Sequence, residues 1–80
     1  MLGPGDHLSI GERIALYRKR DGYTQEVLAG LVGYSADRLA KIETDRRKPP
    51  RIDVLAELSR TLRISLGDLL GQTVLMEDKR

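Results

Sequence analysis

Apolar positions recur along this chain with a helical period, in five short runs separated by turn-forming residues. Ile10, Ile14 and Tyr17 follow one another at offsets of four and three, which keeps side chains on one face of an α-helix. Ser9 precedes the run and Glu12 stands three residues later, the signature of a capping box. The pattern predicts a first helix over Ile10–Arg20, closed by Asp21-Gly22. Thr24 is a second N-cap, and Val27, Leu28 and Leu31 give the next helix its apolar stripe. Gly33 follows the last periodic residue, where a left-handed C-terminal cap favours glycine. Ser35 then caps a third helix from Ala36 to Glu43 or Thr44. Pro49-Pro50 forbids helix in the next connection. A fourth helix is expected over Ile52–Leu62 with Ile52, Leu55, Leu58 and Leu62 inward. Ser65 caps a short fifth helix, Leu66–Leu70, with Asp68 placed to complete a box and Gly71 ending it. The fold class is therefore all-α, a compact five-helix domain over 9–71. Residues 1–8 read as a flexible N-terminal arm and 72–80 as a C-terminal tail without a period.

Composition narrows the kind of core. Phe and Trp are absent among the 80 residues, and the aromatics are Tyr17, Tyr23 and Tyr34. Burial must rest on Leu, Ile, Val and Ala. A chain this short buries only roughly 60% of its unfolded surface, and short isolated helices are marginal in water. The five stripes must therefore close on one another. There is no cysteine, which excludes a disulfide framework and thiol chemistry and fits a cytoplasmic setting. The first residues lack the basic start and apolar run of a signal peptide. No apolar stretch approaches the ~20 residues that cross a bilayer.

Net charge is only +2, but its distribution is uneven. Arg46, Arg47, Lys48 and Arg51 lie within six residues, and Arg18-Lys19-Arg20 forms a second cluster. Such clusters are equally compatible with a solvated surface and with phosphate binding. The abrupt passage from the second helix to the third suggests a helix-turn-helix, although the spacing alone also suits an ordinary helical hairpin. The composition of the third helix favours the former. At about 100° per residue, Leu39 and Ile42 share one face, while Asp37, Ala40, Lys41 and Thr44 fall opposite, flanked by Ala36 and Arg38. That outer face is slim and polar, and Ala40 would let it approach base edges. Lys41 can donate to guanine O6 or N7, Arg38 can do so bidentately or grip a phosphate, and Ala36 can touch a thymine methyl. Asp37 can accept from cytosine N4 or pair with Lys41 at i,i+4. Gln25, in the first turn of the second helix, is placed to meet a phosphate with the free amides there.

Thr24-Gln25-Glu26, Leu28-Ala29, Gly33-Tyr34-Ser35, Leu39, Lys41-Ile42-Glu43, a proline-containing loop, then Leu55, Leu58 and Leu62, together resemble the lambda-repressor-like helix-turn-helix domain of the XRE, Cro/cI type. Ile64-Ser65-Leu66-Gly67-Asp68-Leu69-Leu70 is similar to that family's short fifth helix. The resemblance covers residues 10–70. It implies a DNA-binding transcriptional regulator that engages a pseudo-palindromic operator in double-stranded DNA as a homodimer. Carried over by position, it implies phosphate contacts from Gln25, Ser35, Thr44, Arg46 and Arg47, and base-facing roles for Ala36, Asp37 and Lys41, beside Arg38 and Ala40. It also implies a brace between Arg18 and Glu43, with direct phosphate contact by Arg18 as the alternative. The family commonly has Asn-Gly where this chain has Thr44-Asp45, so the exit from the third helix is expected to differ.

A second class of function is a protein-interaction module of the same fold. An antitoxin would hold a toxin through the fourth or fifth helix or the tail, where Leu69, Leu70, Val74, Leu75 and Met76 supply apolar surface. Core closure and a dimer contact are the simpler use of those residues. Regulators of this type also often carry a sensing or effector domain after such a tail. An enzyme is excluded by the inventory. His7 is the lone histidine, in a Gly/Pro-containing arm. No metal-ligand spacing and no phosphate-cradling glycine loop is present. No cofactor is expected, and no membrane partner.

Overall fold

A computed structural model of the chain describes residues 8–71. Among them are five helices and no strand: α1 (Ile10–Arg20), α2 (Gln25–Val32), α3 (Ala36–Thr44), α4 (Ile52–Leu62) and α5 (Leu66–Leu70). The arm, apart from Leu8, and the tail with Val74, Leu75 and Met76 lie outside the described residues, as does His7.

Local chemistry sets the helix boundaries. Ser9 Oγ accepts from the Glu12 amide at 3.1 Å, and the Ser9 amide donates to Glu12 Oε1 at 2.8 Å, so two otherwise orphaned donors are satisfied reciprocally. Thr24, Ser35 and Ser65 each accept from the amide three residues on. Gly33 takes the left-handed conformation (φ 80°), and the Tyr34 amide donates back to Ala29 O at 2.8 Å. That Schellman closure satisfies the last carbonyls of α2 and turns the chain straight into α3. The chain leaves α3 through Thr44-Asp45. Asp45 is extended (φ −84°, ψ 102°), so α3 ends without a left-handed residue.

α1 packs on α3, α4 and α5; α2 packs on α3 and α4; α4 packs on α5. Ile14, Leu28, Leu39, Leu58, Leu62 and Leu69 are fully buried at the centre. Two of the expected stripes are corrected. Val27 and Leu31 are 49% and 55% exposed, and the buried line of α2 is Leu28 with Ala29. Helical spacing places Leu28 with Val32 on one face and rotates Val27 and Leu31 outward; α3 and α4 together cover only the Leu28 side. Ile52 is 62% exposed, because it stands in the first turn of α4 beyond the edge of the core, and Val54 fills the inward position instead.

α4 ends on Arg63 in the left-handed region (φ 59°, ψ 46°), a conformation that costs a residue with a Cβ about 1–2 kcal/mol. Arg63→Gly should raise the unfolding free energy by about 0.5–1 kcal/mol, the relieved left-handed cost less glycine's entropy, and the melting midpoint by roughly 2–8 °C, measured by thermal denaturation.

Candidate nucleic-acid interface

α3 is held from below by a buried ion pair. Arg18 leaves α1 with its Nε 2.7 Å from Glu43 Oε2 and its Nη2 3.1 Å from Glu43 Oε1. The remaining fork of the guanidinium, Nη1, donates to Tyr23 O at 2.9 Å. The two side chains are 10% and 3% exposed, so Arg18 has no free path to a phosphate. Gln25 joins the same unit, its Nε2 donating to Glu43 Oε1 at 2.9 Å. One carboxylate thus ties together the end of α1, the start of α2 and the last turn of α3. Gly11 makes the approach possible: a Cβ there would stand 2.4 Å from Ile42 O and 2.6 Å from Glu43 O.

The outward face of α3 carries the predicted base-facing residues. Asp37, Arg38 and Lys41 are exposed, while Ala36 and Ala40 are half-buried. No ion pair joins Asp37 to Lys41 among the described residues, so the Lys41 ammonium stands clear. The Arg38 guanidinium lies over the Tyr34 ring, 4.0 Å from its centroid. Beside this face, Arg38, Lys41, Lys48 and Arg51, with Asp45 among them, line an open trough of about 550 Å³ together with Ile42, Pro49, Pro50 and Val54.

The phosphate candidates are more committed. Ser35 is exposed and its Oγ accepts from the Arg38 amide, which leaves its hydroxyl hydrogen available. Thr44 Oγ1 donates to Ala40 O at 2.8 Å; donating to a phosphate requires giving up that bond. Arg46 Nη1 pairs with Glu12 Oε2 at 2.9 Å. The backbone amide of Arg47 closes an Asx turn on Asp45 Oδ1 at 3.0 Å, and its side chain is exposed. Sequence reasoning missed three of these connections: Gln25 to Glu43, Arg46 to Glu12, and Arg38 over Tyr34. The first two span 18 and 34 residues and leave no local signal. The third joins residues four apart, but Tyr34 stands before the extended N-cap Ser35, outside the helix, so helical spacing does not announce it.

The Glu12 carboxyl sits below its ordinary range, chiefly because the Ser9 amide donates to it; desolvation opposes this, and the facing Arg46 guanidinium lowers it further. A carboxyl whose pKa is depressed on folding contributes stability above its unfolded value and loses it as pH falls through the lower folded value. Wild type should therefore exceed Glu12→Gln in melting midpoint at neutral pH, with the gap closing in acid. A gap that stays constant with pH would contradict the assignment.

Among the described residues no helix is long and apolar enough to cross a membrane, and no group of three or more His, Cys, Asp or Glu side chains could hold a metal ion. Comparison with known proteins agrees with the geometry. A family model described as a helix-turn-helix domain matches residues 9–71. The HTH-type transcriptional regulator SlrR of Bacillus subtilis (strain 168) is 39% identical over 70 residues, spanning 88% of this chain and 46% of that protein. SinR of Bacillus licheniformis, also an HTH-type transcriptional regulator, is 36% identical over 63 residues, spanning 79% and 57% respectively. The chain thus spans about half the length of these relatives. Among solved structures, the N-terminal DNA binding domain of SinR from Bacillus subtilis matches with a TM-score of 0.69 at 38% identity, over 76% of this chain and 88% of that one. The clp gene regulator ClgR from C. glutamicum also gives 0.69, at 25% identity, over 89% of this chain and 91% of that one.

Proposed function

This chain belongs to the helix-turn-helix domain family, and from that premise we propose that it is the DNA-binding part of a transcriptional regulator. α3 enters the major groove of double-stranded DNA, and Asp37, Arg38 and Lys41 face the bases, with Ala36 and Ala40 in close apposition. Gln25, Ser35, Arg46 and Arg47 approach phosphates, joined by Thr44 when its hydroxyl exchanges partners. The activity is recognition, with no chemical step. The observation that carries the reading is the outward face of α3: a free Lys41 beside a small Ala40, on a helix locked in place by the Arg18–Glu43 pair. The chain binds as a homodimer on a pseudo-palindrome whose half-sites lie about one helical turn apart.

Selection of bound sites from random DNA tests all of this at once, since it returns the sequence and the half-site spacing. If about six phosphates are neutralised per dimer, log affinity should fall with log salt at a slope near −5. Lys41→Ala should cost about tenfold at the selected site and relax preference at one base. Arg46→Ala should weaken all sequences alike. Binding that ignores salt, or selection that returns no sequence, would overturn the reading.

A further inference from the structure

Among the described residues two arginines lie over tyrosine rings, and their surroundings differ. Arg20 lies over Tyr17 at 5.0 Å, but its donors are engaged: Nε bonds Asp21 Oδ1 and Nη2 bonds Leu62 O, each at 3.0 Å. That stack is a structural tie between the end of α1 and the end of α4. Arg38 lies closer over Tyr34, at 4.0 Å. Among the described residues no carboxylate pairs with it. A guanidinium is planar and carries its N–H donors at its edge, so one held over a ring by its charge can still offer them to a second partner. The ring is itself anchored. Tyr34 is half-buried against the core, and its amide bonds Ala29 O.

From this contrast we infer that Tyr34 is a positioning residue: it holds the Arg38 guanidinium ready to read the O6 and N7 edge of one guanine. The inference rests on the reading of α3 as the recognition helix. Three things make a base edge the target. Arg38 is exposed on α3 beside Asp37 and one turn before Lys41. Among the described residues its fork is unpaired. Guanine presents two acceptors at the spacing that fork matches. An arginine ordered before binding loses less rotamer freedom on contact, so the ring supports discrimination without touching DNA.

The test uses the full chain and duplexes derived from its own selected site, with the guanine kept or replaced. Arg38→Ala and Arg38→Lys should each reduce the preference for guanine at one position by about tenfold or more. Tyr34→Leu should reduce it about two- to fivefold, and Tyr34→Phe, which keeps the ring face, should retain it. If Tyr34→Leu fails to fold by circular dichroism, Tyr34→Met, apolar and of similar reach but without a ring, takes its place with the same expected loss. Wild-type discrimination in a folded Tyr34→Leu, loss of preference in Tyr34→Phe, or a uniform weakening of all duplexes by Arg38→Ala would each overturn the inference while leaving DNA binding intact. Failure of wild type to select any sequence would overturn the regulator reading, and this inference with it.

Discussion

Arg18→Met is expected to destabilise the domain by about 3–5 kcal/mol, the cost of leaving one buried charge without its partner. The Glu43 side chain is 3% exposed, so water cannot replace the guanidinium. Gln25 alone would remain to serve the carboxylate, and Tyr23 O would lose its side-chain donor. A domain of this size has only about 4–12 kcal/mol of total stability, so the single variant should be largely unfolded at moderate denaturant. The companion variant separates energy from geometry. Arg18→Met with Glu43→Leu replaces the pair by apolar groups of similar length and should recover most of the loss, because well-packed apolar substitutes for a buried pair are often near neutral. It should not recover DNA affinity to the same degree, because the pair also fixes where α3 sits and how Gln25 is held. Urea denaturation and operator binding on the same samples check both halves. A single variant that loses less than about 1 kcal/mol would mean that the pair is solvated.

Most helix boundaries were legible because they rest on single residues with a local mechanism; α4, whose N-cap Arg51 makes no side-chain cap bond, was delimited instead by Pro49-Pro50 before it. Ser9 with Glu12, Thr24, Ser35 and Ser65 each cap the helix they precede, and Gly33 and Gly71 each end one. The side-chain partition was less legible. In α2 the run Val27-Leu28-Ala29 with Leu31 and Val32 contains two apolar faces about 100° apart, and only the placement of α3 and α4 selects Leu28 over Val27. The period of a short helix fixes the spacing of a face and not its direction when both sides are apolar. Ile52 misled for a different reason: it opens the periodic run but stands before the core begins.

At the candidate site, local reasoning found the polar face of α3, because one helix contains all of it. It could not find what holds that face. Arg18 and Glu43 are 25 residues apart, and nothing in either neighbourhood announces the other; their pairing came into view through resemblance alone. Arg46 shows the opposite difficulty. Its place in a basic run suggested a free cation, yet Glu12, already employed in a capping box, has a second oxygen to offer it. One residue with two jobs is invisible to any argument that assigns each residue one.

Gly11→Val should cost about 3 kcal/mol or more, in the range of strongly overpacked cores, and should displace α3. The position carries a local signal: a glycine in the first turn of a helix gives up about 1 kcal/mol relative to alanine, so its presence calls for a reason. The reason is a contact of helix against backbone. A Cβ at Gly11 would stand 2.4 Å from Ile42 O and 2.6 Å from Glu43 O, and neither oxygen belongs to a side chain that could swing aside. α1 and the last turn of α3 would have to separate. Separation lengthens the Arg18–Glu43 bonds, now 2.7 and 3.1 Å, and frees Gln25. Loss of stability and loss of operator affinity should therefore appear together, with affinity falling further than in a variant equally destabilised at the far side of the core, such as one at Leu69. Gly11→Ala should show the same effects at smaller size. If Gly11→Val melts within a degree or two of wild type, the close approach of α1 to α3, and the rigid seat it gives α3, is wrong.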